Sequence, residues 1–195
     1  MWRSDESTFG IHWRYSSGSN LTSSVTAPPY GSGMTQNGST DFDFLIGRWA
    51  VHHHKLADVT DRDCTDWVDF DSEGEARAVL GGAGNVDTVI ATLPDGRSFE
   101  GLTLRLYDPE AGLWRIWWSS TTRPGKLDPP VEGRFRDGRG VFLGEDTIGG
   151  KPALVRFRWS AITPDSARWE QEFSFDGGTT WDPPNWIMTF ARRTD

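Results

Sequence analysis

A single cysteine, Cys64, leaves this chain of 195 residues without an intramolecular disulfide and without a second thiolate to share a metal. Stability must therefore come from a packed core, and a reducing, cytoplasmic compartment fits. No apolar run approaches the roughly 20 residues that cross a bilayer as a helix. The N-terminus also lacks the basic-then-apolar pattern of a signal peptide, so neither export nor membrane insertion is expected. Positive charge is in deficit: 20 Lys and Arg stand against 28 Asp and Glu, for a formal net charge of −8. That balance argues against a nucleic-acid partner. No amphipathic helix of useful length, no Gly-x-Ser-x-Gly elbow and no phosphate loop is found; Gly81-Gly82-Ala83-Gly84 is followed by neither Lys-Ser/Thr nor a helix.

What is present is aromatic. Eleven Trp in one domain's worth of chain call for a wide core. Residues 1–40 are rich in Ser, Thr, Gly and Asn and are expected to be a disordered tail, with Met34 an alternative start and Trp2, Phe9, Trp13 and Tyr15 its apolar exceptions. The folded domain is placed at 41–195. It opens with Phe42, Phe44, Leu45 and Ile46, too few for a long helix, so one helical turn is expected to plug the end of a sheet. Gly47 then turns the backbone, and Trp49, Val51 and His53 share one face of the first strand while His52 and His54 point the other way.

Short alternating segments follow. Residues 65–80 predict an extended stretch broken near 71–74, and 85–93 another ending at Pro94-Asp95-Gly96. Residues 101–107 and 113–119 flank the turn Asp108-Pro109-Glu110-Ala111-Gly112. With that turn tight, Leu102, Leu104 and Leu106 join Trp114, Ile116 and Trp118 on the core face, and Arg105, Arg115 and Trp117 lie on the other. Residues 131–136 and 140–147 form a hairpin about Asp137-Gly138. In the next hairpin Val155, Phe157 and Trp159 oppose Trp169, Phe173 and Phe175, and Arg156 and Arg158 pair with Glu170 and Glu172 on the solvated side. Residues 186–193 close the edge. About nine or ten strands with short turns predict an all-β, antiparallel up-and-down barrel, since closure removes unpaired edges; a sandwich is the alternative.

Gly47-Arg48-Trp49 after a short apolar turn resembles the Gly-x-Trp signature of the lipocalins and their calycin relatives, with Arg192 or Arg193 placed to lie across Trp49. FDFLIGRW, LGGAGNVDTV, LRLYDPEAGLWRIWW, WEQEFSFDGGTTW and NWIMTFAR together resemble bacterial lipocalin-like domains of unknown function often labelled DUF1579. The resemblance spans nearly all of 41–193. It implies a barrel and a pocket but no chemistry, and the missing disulfides and signal peptide depart from secreted lipocalins.

The pocket lining is expected from Trp49, His53, Trp114, Trp118, Phe157 and Trp169, around a small apolar or amphipathic molecule. No metal is expected. His52 and His54 share a face, but nothing in the spacing demands the further ligands a zinc ion needs, such as Asp66, Asp69 or Glu75. No cofactor is expected either; resemblance to the haem-binding nitrobindin barrels offers haem on His53 as an alternative, and an acid-base isomerase or cyclase using His53 is another. Gln171 is the one inward amide or carboxylate foreseen, which weakens the enzyme reading. Arg105 and Arg115 on one face would need Glu75, Glu100 or an anionic ligand head between them. Ser174–Trp181 has the form of an Asp-box turn, in which Asp176 caps backbone N–H groups; without a second copy it predicts a hairpin turn, not a propeller. Cys64 reads as a structural thiol, and the composition leaves a homodimer open.

Overall fold

The computed structural model describes residues 38–194. Ten strands follow one another: β1 (Gly47–Leu56), β2 (Trp67–Val79), β3 (Gly84–Thr92), β4 (Ser98–Asp108), β5 (Leu113–Ser120), β6 (Val131–Arg136), β7 (Arg139–Ile148), β8 (Lys151–Ser160), β9 (Ser166–Ser174) and β10 (Trp186–Arg192). Each pairs antiparallel with its sequence neighbours, and β10 returns to β1, so the barrel closes without a free edge. That closed order is the up-and-down barrel; a sandwich would need two separate sheets. The expected tail, 1–40, lies outside the described residues except for its last three. Gly38–Thr40 form a 3-10 turn, and the Gly38 carbonyl accepts from Trp114 Nε1 at 2.8 Å, so the fold reaches back at least to Gly38.

The apolar lead-in is a single 3-10 turn, Asp43–Leu45. Gly47 follows at φ 119°, a conformation that favours glycine, and its open α-carbon lets the Arg192 guanidinium come close. Phe42, fully buried, plugs this end: its ring meets Trp114 and Phe135 edge-on at 5.1 and 5.0 Å and stacks on Phe142 at 5.6 Å. Trp49 donates its N–H to Leu45 O at 2.7 Å. Across from it stands Arg192, whose guanidinium lies 4.2 Å over the Trp49 ring and donates to the carbonyls of Phe44 and Ile46. The last strand's cation thus ties the plug to both ends of the chain's sheet.

The inward alternation in β8 and β9 holds: Val155 opposes Phe173 and Trp159 opposes Trp169, while Arg156 and Arg158 pair with Glu172 on the other face. That face is not solvated as expected, since Glu172 is buried and Arg156 lies 3.9 Å over the Trp181 ring. Two further expectations do not hold. Strand β2 is unbroken, because Ser72 and Gly74 stay in the ladder opposite Val51 and Trp49; a side chain is missing at Gly74 where the facing strand contributes an indole. In the β4–β5 hairpin Asp108 pairs with Leu113, leaving four residues in the turn rather than five. The Asp108 carboxylate caps the N–H groups of Glu110 and Ala111, both at 3.0 Å, and so stays in the ladder itself. A one-residue slip reverses every side chain of β4 relative to β5. Leu102, Leu104 and Leu106 face outward, with Leu102 38% exposed, and Thr103, Arg105 and Tyr107 share the inner face with Trp114, Ile116 and Trp118.

Candidate functional site

Above the plug the barrel encloses a cavity of about 780 Å³. It exists because inward positions of β2 to β4 carry Ser72, Gly74, Ala76, Ala91 and Gly101, which leave room that the large residues of β8 to β10 do not fill. Of the residues expected to line it, Trp49, His53, Trp118, Phe157 and Trp169 stand on its wall. The far edge of the Trp118 ring sits against Gly101, where an added Cβ would come within 2.0 Å of it. Trp114 does not reach the cavity: it is 1% exposed and packs beneath, against Phe42 and Tyr107. At the mouth, the 57–66 loop brings Val59 onto the core and is held by the ion pair of Arg62 with Asp182 at 3.0 Å.

His53 faces inward, 1% exposed, its ring stacked on Phe70 at 4.4 Å. Trp186 Nε1, which can only donate, lies 3.1 Å from His53 Nδ1. Nδ1 is therefore the acceptor, and the proton sits on Nε2, 2.7 Å from Ser72 Oγ. Burial, seconded by the neighbouring His52, pushes the His53 pKa down to about 4, so the ring is neutral at pH 7. With both nitrogens engaged and one face covered, His53 offers no lone pair for iron or for a substrate proton. The residues present do not fit a His53-ligated haem.

Facing it across the cavity is a polar cluster that the sequence reading missed. Arg105, expected outside beside Arg115, points inward and is 5% exposed. Its Nη1 donates to Asn85 Oδ1 at 3.0 Å and forms an ion pair with Asp87, whose second oxygen accepts from Thr103 Oγ1 at 3.1 Å. Arg115 is outside, bound by Asp108 and Glu132. No like-charge pair of arginines exists here. The Arg105 guanidinium lies 5.2 Å from the ring centre of Phe42 and 5.9 Å from that of Trp159, which puts it at the cavity floor where plug and ligand space meet. Asn85 and Asp87 alternate on β3 as Thr103 and Arg105 do on β4, and that complementary i, i+2 pattern was the legible signal. Gln171, the inward amide foreseen, is tied to Asn185 Oδ1 at 3.0 Å.

The remaining candidates are structural. His52 and His54 point outward and bond Asp71 and Asp69, both at 2.8 Å, with His54 stacked on Trp67. Among the described residues no group of three or more His, Cys, Asp or Glu is arranged to hold a metal ion. Cys64 lies in the mouth loop, its Sγ 3.7 Å from Asp66 O. Asp176 caps Thr180 through its N–H at 2.9 Å and its hydroxyl at 2.6 Å, with Gly177 and Gly178 at positive φ; these bonds lower its pKa to about 2. Lys55, inward at the mouth, lies 5.3 Å over Trp186, and burial lowers its pKa.

No family model matches the chain, and no curated protein matches it. Solved structures do. The S-type phycobiliprotein lyase CPES from Guillardia theta is similar at TM-score 0.56 and 11% identity, over 83% of this chain and 95% of that one. A de novo designed fluorescence-activating beta barrel is similar at TM-score 0.42 and 14% identity, over 77% of this chain and 95% of that chain. At 11% identity the likeness to the lyase is one of fold alone, an antiparallel β-barrel.

Proposed function

We propose that this barrel binds a small apolar or amphipathic molecule in its interior. The observation that carries the reading is the cavity itself. It has about 780 Å³ of space above a packed plug, walled by Trp118, Phe157 and Trp169 and furnished with a few convergent polar groups, as ligand sites are. Binding is favoured over catalysis because His53, the one inward histidine among the described residues, has both nitrogens committed to Trp186 and Ser72. The same commitment disfavours a haem site. Assignment to the lipocalin-like calycins, and within them to the DUF1579-type domains, belongs to this proposal; Gly47 and Trp49 locked under Arg192 support it. So do a cytoplasmic location, in keeping with one unpaired thiol, and the absence of a nucleic-acid partner, in keeping with a net charge of −8. Homodimer formation is not required by any part of the site.

Titration of the purified protein with a fluorescent fatty acid, followed by quenching of its tryptophans, tests the reading. Saturable binding at one site per chain is expected. A folded protein that quenches with no apolar or amphipathic probe would overturn it.

A further inference from the structure

We infer that Lys55 is a covalent attachment point, whose side-chain amine condenses with the aldehyde head of an apolar chain held in the cavity. The inference rests on the binding reading above and deepens it by naming the ligand's reactive group and the residue that takes it. Three lysines occur in the chain, and two of them, Lys126 and Lys151, are exposed. Lys55 alone of the three lines the cavity. Its partners across the ladder are Trp186 on β10 and Val68 on β2, and its Nζ lies 5.3 Å over the Trp186 ring. One hydrogen bond holds the amine, to the Leu56 carbonyl at 3.2 Å, and among the described residues Lys55 forms no ion pair.

That setting suits a nucleophile better than a structural cation. An ammonium ion in an apolar wall needs a carboxylate in contact, and three of the cavity's carboxylates are taken by arginines: Asp87 by Arg105, Asp95 by Arg97 at 2.6 Å, and Asp128 by Arg123. The titratable groups that act on Lys55 are the neutral His53 on its own strand and Asp58 and Cys64 from the mouth loop. The Asp58 carboxylate is occupied by Thr60, whose N–H and hydroxyl donate to it at 2.8 and 2.7 Å. Burial lowers the Lys55 pKa against the opposing pull of Asp58 and Cys64, which raises the share of free amine at neutral pH. A desolvated lysine of this kind is the side chain that forms Schiff bases with carbonyl compounds. In the step, the Nζ lone pair attacks the aldehyde carbon, the two protons of the neutral amine leave with the carbonyl oxygen as water, and a C=N bond replaces C=O. Nothing is oxidised or reduced. The apolar chain then runs inward along Trp186 and Trp169, whose rings meet edge-on at 5.7 Å on the cavity wall. The head must fit between Trp186 and Val68, and an aldehyde carries one substituent where a ketone carries two.

The test incubates the full chain at pH 7 with one equivalent of dodecanal, reduces the mixture with sodium borohydride and maps the dodecyl adduct by peptide mass spectrometry. Adduct at Lys55 is expected to exceed that at Lys126 or Lys151 by about tenfold or more. In parallel, displacement of the fluorescent fatty acid ranks dodecanal against dodecanol, and the aldehyde should bind about tenfold or more tighter. In Lys55→Arg, which keeps a cation over Trp186 but cannot form the imine, that gap should close while dodecanol binds as it does to the wild type. Should Lys55→Arg fail to fold, the wild-type adduct map and ranking decide the matter without it. Adduct spread evenly over the three lysines, or dodecanol bound as tightly as dodecanal, would overturn the imine and leave the binding reading standing. A folded wild-type protein that neither binds dodecanol nor takes up dodecanal would overturn both.

Discussion

The two halves of the barrel interior treat the same chemical group differently. At the plug, Trp114 and Trp49, the latter also reaching the cavity wall, are buried and each gives its indole N–H to a backbone carbonyl, of Gly38 at 2.8 Å and of Leu45 at 2.7 Å. On the cavity side, Trp159 is as deeply buried and has no partner, and neither has the neighbouring Arg105 Nε. An unpaired buried donor costs about 1–3 kcal/mol. The plug spends its aromatic surface on stability and satisfies every polar handle that surface brings. Where plug and cavity meet, Trp159, packed on Phe42 and Phe44, and Arg105 each keep one buried donor unsatisfied.

Breaking the plug should have the largest effect. Trp49→Ala removes an indole with ring contacts to Phe190 at 6.0 Å and Arg192 at 4.2 Å, and is expected to cost about 3–5 kcal/mol in denaturant unfolding. Wild-type stability in that variant would mean that Arg192 and Phe42 hold the closed end without it. A smaller effect is expected from protonating the cavity wall. His53 has its folded pKa lowered from 6.5 to about 4. As pH falls through 6.5 the unfolded chain takes up a proton that the folded chain refuses until about pH 4, so stability drops across that window and levels off below it. The full contribution is about 3 kcal/mol at most. His53→Gln, which keeps an acceptor for Trp186, should flatten that portion of the pH–stability curve. An unchanged slope between pH 6.5 and 4 would assign the acid sensitivity to other groups.

Much of the fold could be read from the chain because its strongest signals are local. Asp137-Gly138 sits at φ 51° and 72°, as a two-residue hairpin turn requires. The Val155, Phe157, Trp159 alternation faces inward, and Gly47 precedes a Trp crossed by a terminal Arg. The site was less legible, since its key residue is placed by a register. Counting Asp108 into the turn put Arg105 in solvent and three leucines in the core; hydrophobicity alone favours that choice. The carboxylate of Asp108, capping Glu110 and Ala111, decides otherwise. The cluster of Asn85, Asp87, Thr103 and Arg105 then becomes an inward group whose charges are paired, so burying them is not prohibitive. Trp114 was assigned to the pocket because its strand face is right; only the position along the strand, level with Phe42, puts it in the plug.

The central claim is that the space between plug and mouth is where the ligand sits, and filling that space tests it most directly. Val89 faces inward between Gly74 and Gly101, the two neighbours with no side chain to displace. Val89→Trp should fold with a melting temperature near that of the wild type and lose saturable binding of the fluorescent fatty acid. Undiminished affinity in a folded Val89→Trp barrel would contradict the claim and move the ligand to the outer surface.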